Sequence, residues 1–173
     1  MAGTIILGAN GSGKSTIGCE LARVLNCVHF ETEDYWFHKT EKPYTVSRKP
    51  IERNEMLLCD CRKYDSYVVS GDVLNWNKEF LKLFDFAVFL EVPTSIRIER
   101  IKNREHERFG DRVCKGGDMY EQHLKFIEYA SSRDVPLLKE KAVKYNCPVV
   151  YVDGTESCSE IIKKIKEKAK WQH

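Results

Sequence analysis

Short apolar runs punctuate the chain, and between them the apolar positions recur at helical spacing. Thr4-Ile5-Ile6-Leu7 and Phe86-Ala87-Val88-Phe89-Leu90-Glu91-Val92 are continuous rather than alternating, as in strands covered on both faces of a parallel sheet. Cys27-Val28-His29-Phe30, Tyr67-Val68-Val69-Ser70 and Pro148-Val149-Val150-Tyr151-Val152 read as further strands. From Ser15 to Asn26, Ile17, Leu21, Val24 and Leu25 line one side of a predicted helix, with Glu20 and Arg23 on the other. Similar patterns predict helices over Ile51–Lys63, Ser95–Arg104, Met119–Ser131, Val135–Tyr145 and Ser157–Lys170. The stretch from Glu31 to about Pro50 is charged and carries prolines, which predicts loop and short helix. Strands separated by helices imply an α/β sheet with right-handed crossovers.

A length of 173 residues suits a single domain, 1–173. Hydrophobic residues at 42% and charged residues at 31% exclude collagen, fibres and wholesale disorder. The 28 Lys and Arg nearly balance the 26 Asp and Glu, a formal charge of +2, so no nucleic-acid partner is expected. No apolar run approaches bilayer length, and the first residues lack the basic start of a secretory signal. The cysteines number 7 and are scattered; Cys59-Asp60-Cys61 has no second pair to complete a zinc site. Reduced thiols, a cytoplasmic location and no membrane partner are the expectation. The basic C-terminal run Lys163–Lys170 reads as a solvated helix face over a buried Ile161, Ile162 and Ile165 stripe.

The most specific pattern is Gly8-Ala9-Asn10-Gly11-Ser12-Gly13-Lys14-Ser15, a full GxxxxGK[ST], or Walker A, match. It follows an apolar strand and opens an amphipathic helix, which is where the mechanism needs it. Glycines let backbone amides approach a phosphate, and the helix N-terminus adds positive potential. Lys14 would reach the β/γ oxygens and Ser15 would ligate Mg²⁺. The nucleotide-contact set is Gly8, Asn10, Gly11, Ser12, Gly13, Lys14, Ser15 and Thr16, with Arg104 added from further along the chain. Motors and switch ATPases need more chain, and Asn77-Lys78-Glu79 stops short of the NKxD guanine motif, so a small kinase fits best.

With the GxxGSGKST loop, the run Phe30-Glu31-Thr32-Glu33-Asp34 and the end Val152-Asp153-Gly154-Thr155, the chain resembles the shikimate, gluconate and nucleoside monophosphate kinase group. It looks closest to uncharacterised adenylate-kinase-like members. The resemblance implies a three-layer α/β/α P-loop fold with a five-stranded parallel sheet of order 2-3-1-4-5. It also implies an acceptor-binding helical region, about 34–64, and a lid, about 104–118. A DxD at the strand-2 position supplies the metal-side and acceptor carboxylates in shikimate and gluconate kinases. Glu31 and Glu33 match those positions with glutamate in place of aspartate, and Asp34 is the alternative acceptor group. A carboxylate there would orient a hydroxyl and take its proton; a solvated acidic loop is the competing reading. Asp72, after Ser70-Gly71, resembles an adenylate-kinase metal-side carboxylate but is offset, leaving metal contact, substrate contact and a simple turn role all open.

Arg97, Arg100, Arg104 and Arg108 recur every three or four residues, and Arg112 follows Phe109-Gly110-Asp111. Phosphoryl transfer uses guanidinium forks on the moving oxygens, and Arg104, Arg108 and Arg112 are favoured for this over Arg97. Salt bridges to Glu99, Glu105 and Glu107 are the plain alternative. Arg133 resembles the post-lid arginine of shikimate kinases, displaced by one residue. Arg48, Arg53, Gly71 and Asp72 complete the predicted acceptor contacts, beside the aromatic cluster Tyr35, Trp36, Phe37 and Tyr44. Aromatic rings suit a nucleobase and arginines suit a phosphate or carboxylate, so both acceptor classes stay open. The expectation is a kinase using ATP and Mg²⁺, monomer or homodimer; the alternative is a nucleotide-binding regulatory ATPase without a dedicated acceptor.

Overall fold

The computed structural model describes residues 2–169. Strands β1 (Ala2–Gly8), β2 (Val28–Glu31), β3 (Ser66–Ser70), β4 (Phe86–Glu91) and β5 (Val149–Asp153) form one parallel sheet in the order β2-β3-β1-β4-β5. Helices α1 (Lys14–Leu25), α2 (Thr32–Trp36), α3 (Pro50–Arg62), α4 (Thr94–Phe109), α5 (Tyr120–Ser131), α6 (Val135–Ala142) and α7 (Cys158–Ala169) cover it. The expected fold class and strand order are therefore present.

The pleat divides β1 between two cores. Ile5 and Leu7 pack with Val69, Phe89 and, from α3, Leu57 and Leu58. Ile6 faces the other way, onto Ile17 and Leu21 of α1 and Ile161 and Ile165 of α7. Each fully buried aliphatic chain contributes about 1.5–3 kcal/mol, which is why the central strands tolerate no polar alternation. Because every strand is parallel, their carboxyl ends meet along one edge, and the segments that leave this edge build the site.

Two helix ends differ from the sequence expectation, while the stretch after β2 matches it. Helix α4 continues past Arg104 to Phe109, since nothing in Glu105-His106-Glu107-Arg108 breaks a helix before Gly110, which turns the chain at φ 55°. The stretch after β2 holds a short helix, α2, capped by a pairing of Phe37 with Ser47. Helix α6 stops at Ala142 and a 3-10 turn takes the chain through Tyr145. Residue Lys170, the expected end of the last helix, lies outside the described residues. No helix among the described residues is long and apolar enough to cross a membrane.

Candidate functional site

The loop from Gly8 to Ser15 joins β1 to α1 at the carboxyl edge of the sheet. Gly13 adopts φ 94°, and a Cβ on Gly11 (φ 81°) would lie 2.5 Å from the Arg97 carbonyl, so only glycine fits there. The Ser12 hydroxyl is buried with no hydrogen-bond partner, a polar orphan in a loop otherwise shaped for an anion. Lys14 Nζ donates to the Ala9 carbonyl at 3.1 Å, folded back over the loop. No carboxylate pairs with it among the described residues. Burial lowers its pKa to about 8, with Glu33 pulling upward and Arg104, Arg133 and Arg97 pushing down. An uncompensated, partly desolvated amine of this kind fits a polyphosphate tail.

Around the loop, other side chains fix its frame. Ser15 Oγ donates to Glu31 Oε2 at 2.8 Å, which brings two hard oxygen donors together beside the helix N-terminus. Ser70 Oγ donates to the Lys14 carbonyl at 2.9 Å and lies 2.8 Å from His29 Nε2. Since that hydroxyl proton is committed to Lys14, His29 is the donor of the pair. Thr16 is exposed on the first turn of α1.

A cavity of about 480 Å³ opens on the loop. Gly8, Asn10 and Lys14 form one side of it, and Thr32 and Glu33, at the start of α2, another. Gly71, Asp72, Arg104 and Arg133 also line it. Arg104 and Arg133 each keep a buried Nε without a partner, although Arg104 touches Glu105 at 3.0 Å and Arg133 reaches the Tyr129 hydroxyl at 3.0 Å. Asp72 Oδ1 accepts from Leu74 N at 2.9 Å and Tyr145 Oη at 2.5 Å, so one oxygen holds the turn after β3 while the residue faces the cavity. A second, open depression of about 520 Å³ lies between Glu91, Pro93 and Asp153 and touches none of the loop residues.

Several expected site residues fall outside this cavity. Arg48 Nη1 donates to the carbonyls of Asp34 (2.8 Å) and Phe37 (2.5 Å) and so caps α2. The Arg53 guanidinium lies 3.5 Å from the Trp36 ring centroid and 4.8 Å from that of Trp76, buried behind the wall that Trp36 presents. Asp34 and Arg108 are exposed. Arg112 makes two 2.9 Å bonds to Asp118. Arg97 is completely buried and holds the Asn10 carbonyl at 2.9 Å, a structural grip on the loop rather than a ligand contact. Conversely, Val113, Met119, Gln122, His123, Phe126 and Tyr129 line the cavity and were not singled out from the sequence. Met119, Gln122, His123 and Phe126 recur at helical spacing, a stripe that a sequence alone presents as ordinary core.

The fold and this loop define a P-loop kinase-type domain. Residues 5–118 match the family model AAA_18, described as an AAA domain, and the chain belongs to that family. It is 33% identical over 169 residues to the uncharacterized protein YqaC of Bacillus subtilis (strain 168), covering 92% of this chain and 93% of that one. UMP-CMP kinase 2 of Caenorhabditis elegans is 28% identical over 178 residues, covering 86% and 91%. In three dimensions, a shikimate kinase from Bacteroides thetaiotaomicron superposes with a TM-score of 0.62 at 19% identity over 98% of each chain.

Proposed function

We propose that the protein is a Mg²⁺-ATP-dependent phosphotransferase that moves the γ-phosphoryl group of ATP to a small-molecule acceptor. The observation that carries this reading is a shared cavity: Lys14 of the phosphate loop and Glu33 of the segment after β2 line the same space. A donor cradle and an acceptor carboxylate on one cavity are what in-line transfer requires.

Lys14, Arg104 and Arg133 would hold the γ-phosphoryl oxygens and stabilise charge as it develops between donor and acceptor. An acceptor oxygen forms a bond to the γ-phosphorus while the bond to the β–γ bridging oxygen breaks, and ADP departs with that electron pair. For a hydroxyl acceptor, Glu33 takes the proton. Ser15 and Glu31 are the oxygen donors suited to Mg²⁺, and Asp72 is a further carboxylate on the cavity lining; Mg²⁺ takes few protein ligands and completes its shell with phosphate and water. The bound ion would supply charge neutralisation at the β- and γ-phosphates. Trp36 and the loop after α2 exclude water from the transfer point.

The test is ADP release from Mg²⁺-ATP in the presence of nucleoside, nucleotide and hydroxy-acid acceptors. Acceptor-dependent release that Lys14→Ala abolishes supports the proposal. Slow hydrolysis indifferent to every acceptor contradicts it and favours a regulatory ATPase.

A further inference from the structure

We infer that the acceptor is a nucleoside, presenting a free hydroxyl rather than a phosphate or carboxylate to the transfer point. This inference rests on the kinase reading above and narrows it.

The walls of the cavity come first. Trp36, Phe37 and Tyr44 form a continuous aromatic surface, with centroids 6.4 Å apart for the first pair and 5.5 Å for the second. Val113, Met119 and Phe126 supply an apolar surface from the lid and α5. Two hydrogen bonds tie these surfaces together at the rim. Gln122 Nε2 donates to the Pro43 carbonyl at 2.9 Å, and Lys42 Nζ to the Asp118 carbonyl at 3.2 Å. A space bounded by rings on one side and thioether, alkyl and phenyl groups on the other suits a flat heterocycle. A polyhydroxylated acid would set part of its surface against these rings and alkyl groups. The buried His123 Nδ1, which has no hydrogen-bond partner, and the Gln122 side-chain oxygen are polar groups on this lining that suit the edge of a base.

The second observation is where the cations are. Lys14, Arg104 and Arg133 line the cavity, and in the kinase reading above they hold the donor phosphates. Of the other predicted arginines, Arg48 is committed to carbonyls, Arg53 to two indole rings, Arg97 to the loop backbone and Arg112 to Asp118, while Arg108 is exposed and does not line the cavity. Glu33 faces the same cavity and forms no ion pair among the described residues. Its negative charge repels an acceptor phosphate or carboxylate and suits a hydroxyl whose proton it can accept. In the step, the nucleoside hydroxyl oxygen bonds to the γ-phosphorus, its proton passes to Glu33, and ADP leaves, giving a nucleoside monophosphate.

The decisive panel is the common ribonucleosides and 2′-deoxynucleosides, their 5′-monophosphates, shikimate and gluconate, each with Mg²⁺-ATP and product identified by mass spectrometry. At least one nucleoside is expected to yield its monophosphate faster than acceptor-free hydrolysis. Phe126→Ala should then raise the KM for that nucleoside about tenfold, the loss of one ring contact, with the KM for ATP unchanged. Binding of an ATP analogue reports that this variant is folded, and Phe126→Leu replaces it if it is not. Phosphorylation of a monophosphate or a hydroxy acid with every nucleoside untouched overturns the inference and leaves the kinase reading standing. No acceptor-dependent ADP release from any member overturns both.

Discussion

Arg97 on α4 donates from Nη1 to the carbonyl of Asn10 in the phosphate loop at 2.9 Å. The same group reaches the Ala130 carbonyl at 3.0 Å, and Nη2 reaches Thr94 Oγ1 at 2.9 Å. Helix α4 is thereby fastened to the loop that would hold the donor. Arg97→Met leaves two buried carbonyls unpaired, which costs about 3 kcal/mol and lowers the thermal midpoint by roughly 6–12 °C. Differential scanning calorimetry checks this. The variant should also bind nucleotide more weakly, because the loop loses its outer support.

Lys14 gives the site a pH signature. Its folded pKa is about 8 against an ordinary 10.5, chiefly through burial. Between these values the unfolded chain keeps a proton that folded Lys14 has lost, so its contribution to stability rises with pH across that window. Below about 8 the buried charge is a penalty that an anion relieves. Nucleotide binding favours the charged amine, so affinity should fall as pH climbs through about 8, and binding there should take up a proton. Calorimetry in buffers of different ionisation enthalpy measures that uptake; it should vanish in Lys14→Met.

Glu33 and Asp34 are both exposed neighbours on α2, but of the two Glu33 lines the cavity. Removing a general base costs about 10²–10⁴ in rate, so Glu33→Gln should lose that much kcat while binding an ATP analogue normally. Asp34→Asn should change kcat less than about twofold, since exposed substitutions away from a site are nearly neutral. Equal losses in the two variants would contradict the assignment.

The strands and the glycine pattern of the loop were legible because each rests on a local signal, whereas the strand order followed from the resemblance to the kinase group. Buried parallel strands need continuous apolar runs, and the loop needs glycines at fixed offsets. The partners of the arginines were not legible. Nothing in the spacing of Arg48 or Arg53 distinguishes a phosphate clamp from a helix cap or an indole sandwich, because that choice depends on where Phe37, Trp36 and Trp76 fall in space. The end of α4 was missed for a related reason: charge density resembles a lid loop, but charge alone does not stop a helix. The α5 wall was hidden because a Met and Phe stripe over a cavity has the same period as one over a core.

Asp118 joins the segment after α2 to the segment between α4 and α5, pairing with Arg112 at 2.9 Å and with Lys42 at 3.3 Å. Both cations hold its carboxyl well below the usual range, the Arg112 hydrogen bond foremost. These groups are exposed, so Asp118→Asn should leave the thermal midpoint unchanged. Its effect should be on closure: a severalfold higher KM for the acceptor, an unchanged KM for ATP, and loss of the wild-type sensitivity to added salt. Steady-state kinetics at low and high ionic strength separates these outcomes.

The most direct measurement is an isothermal titration of the wild-type protein and Lys14→Ala with a non-hydrolysable ATP analogue in the presence of Mg²⁺. One site per chain is expected in the wild type, with affinity at least about tenfold weaker in the variant, the loss of a charge-assisted contact. Equal affinity in the two proteins, or no binding to either, would contradict the assignment of residues 8–15 to the donor polyphosphate.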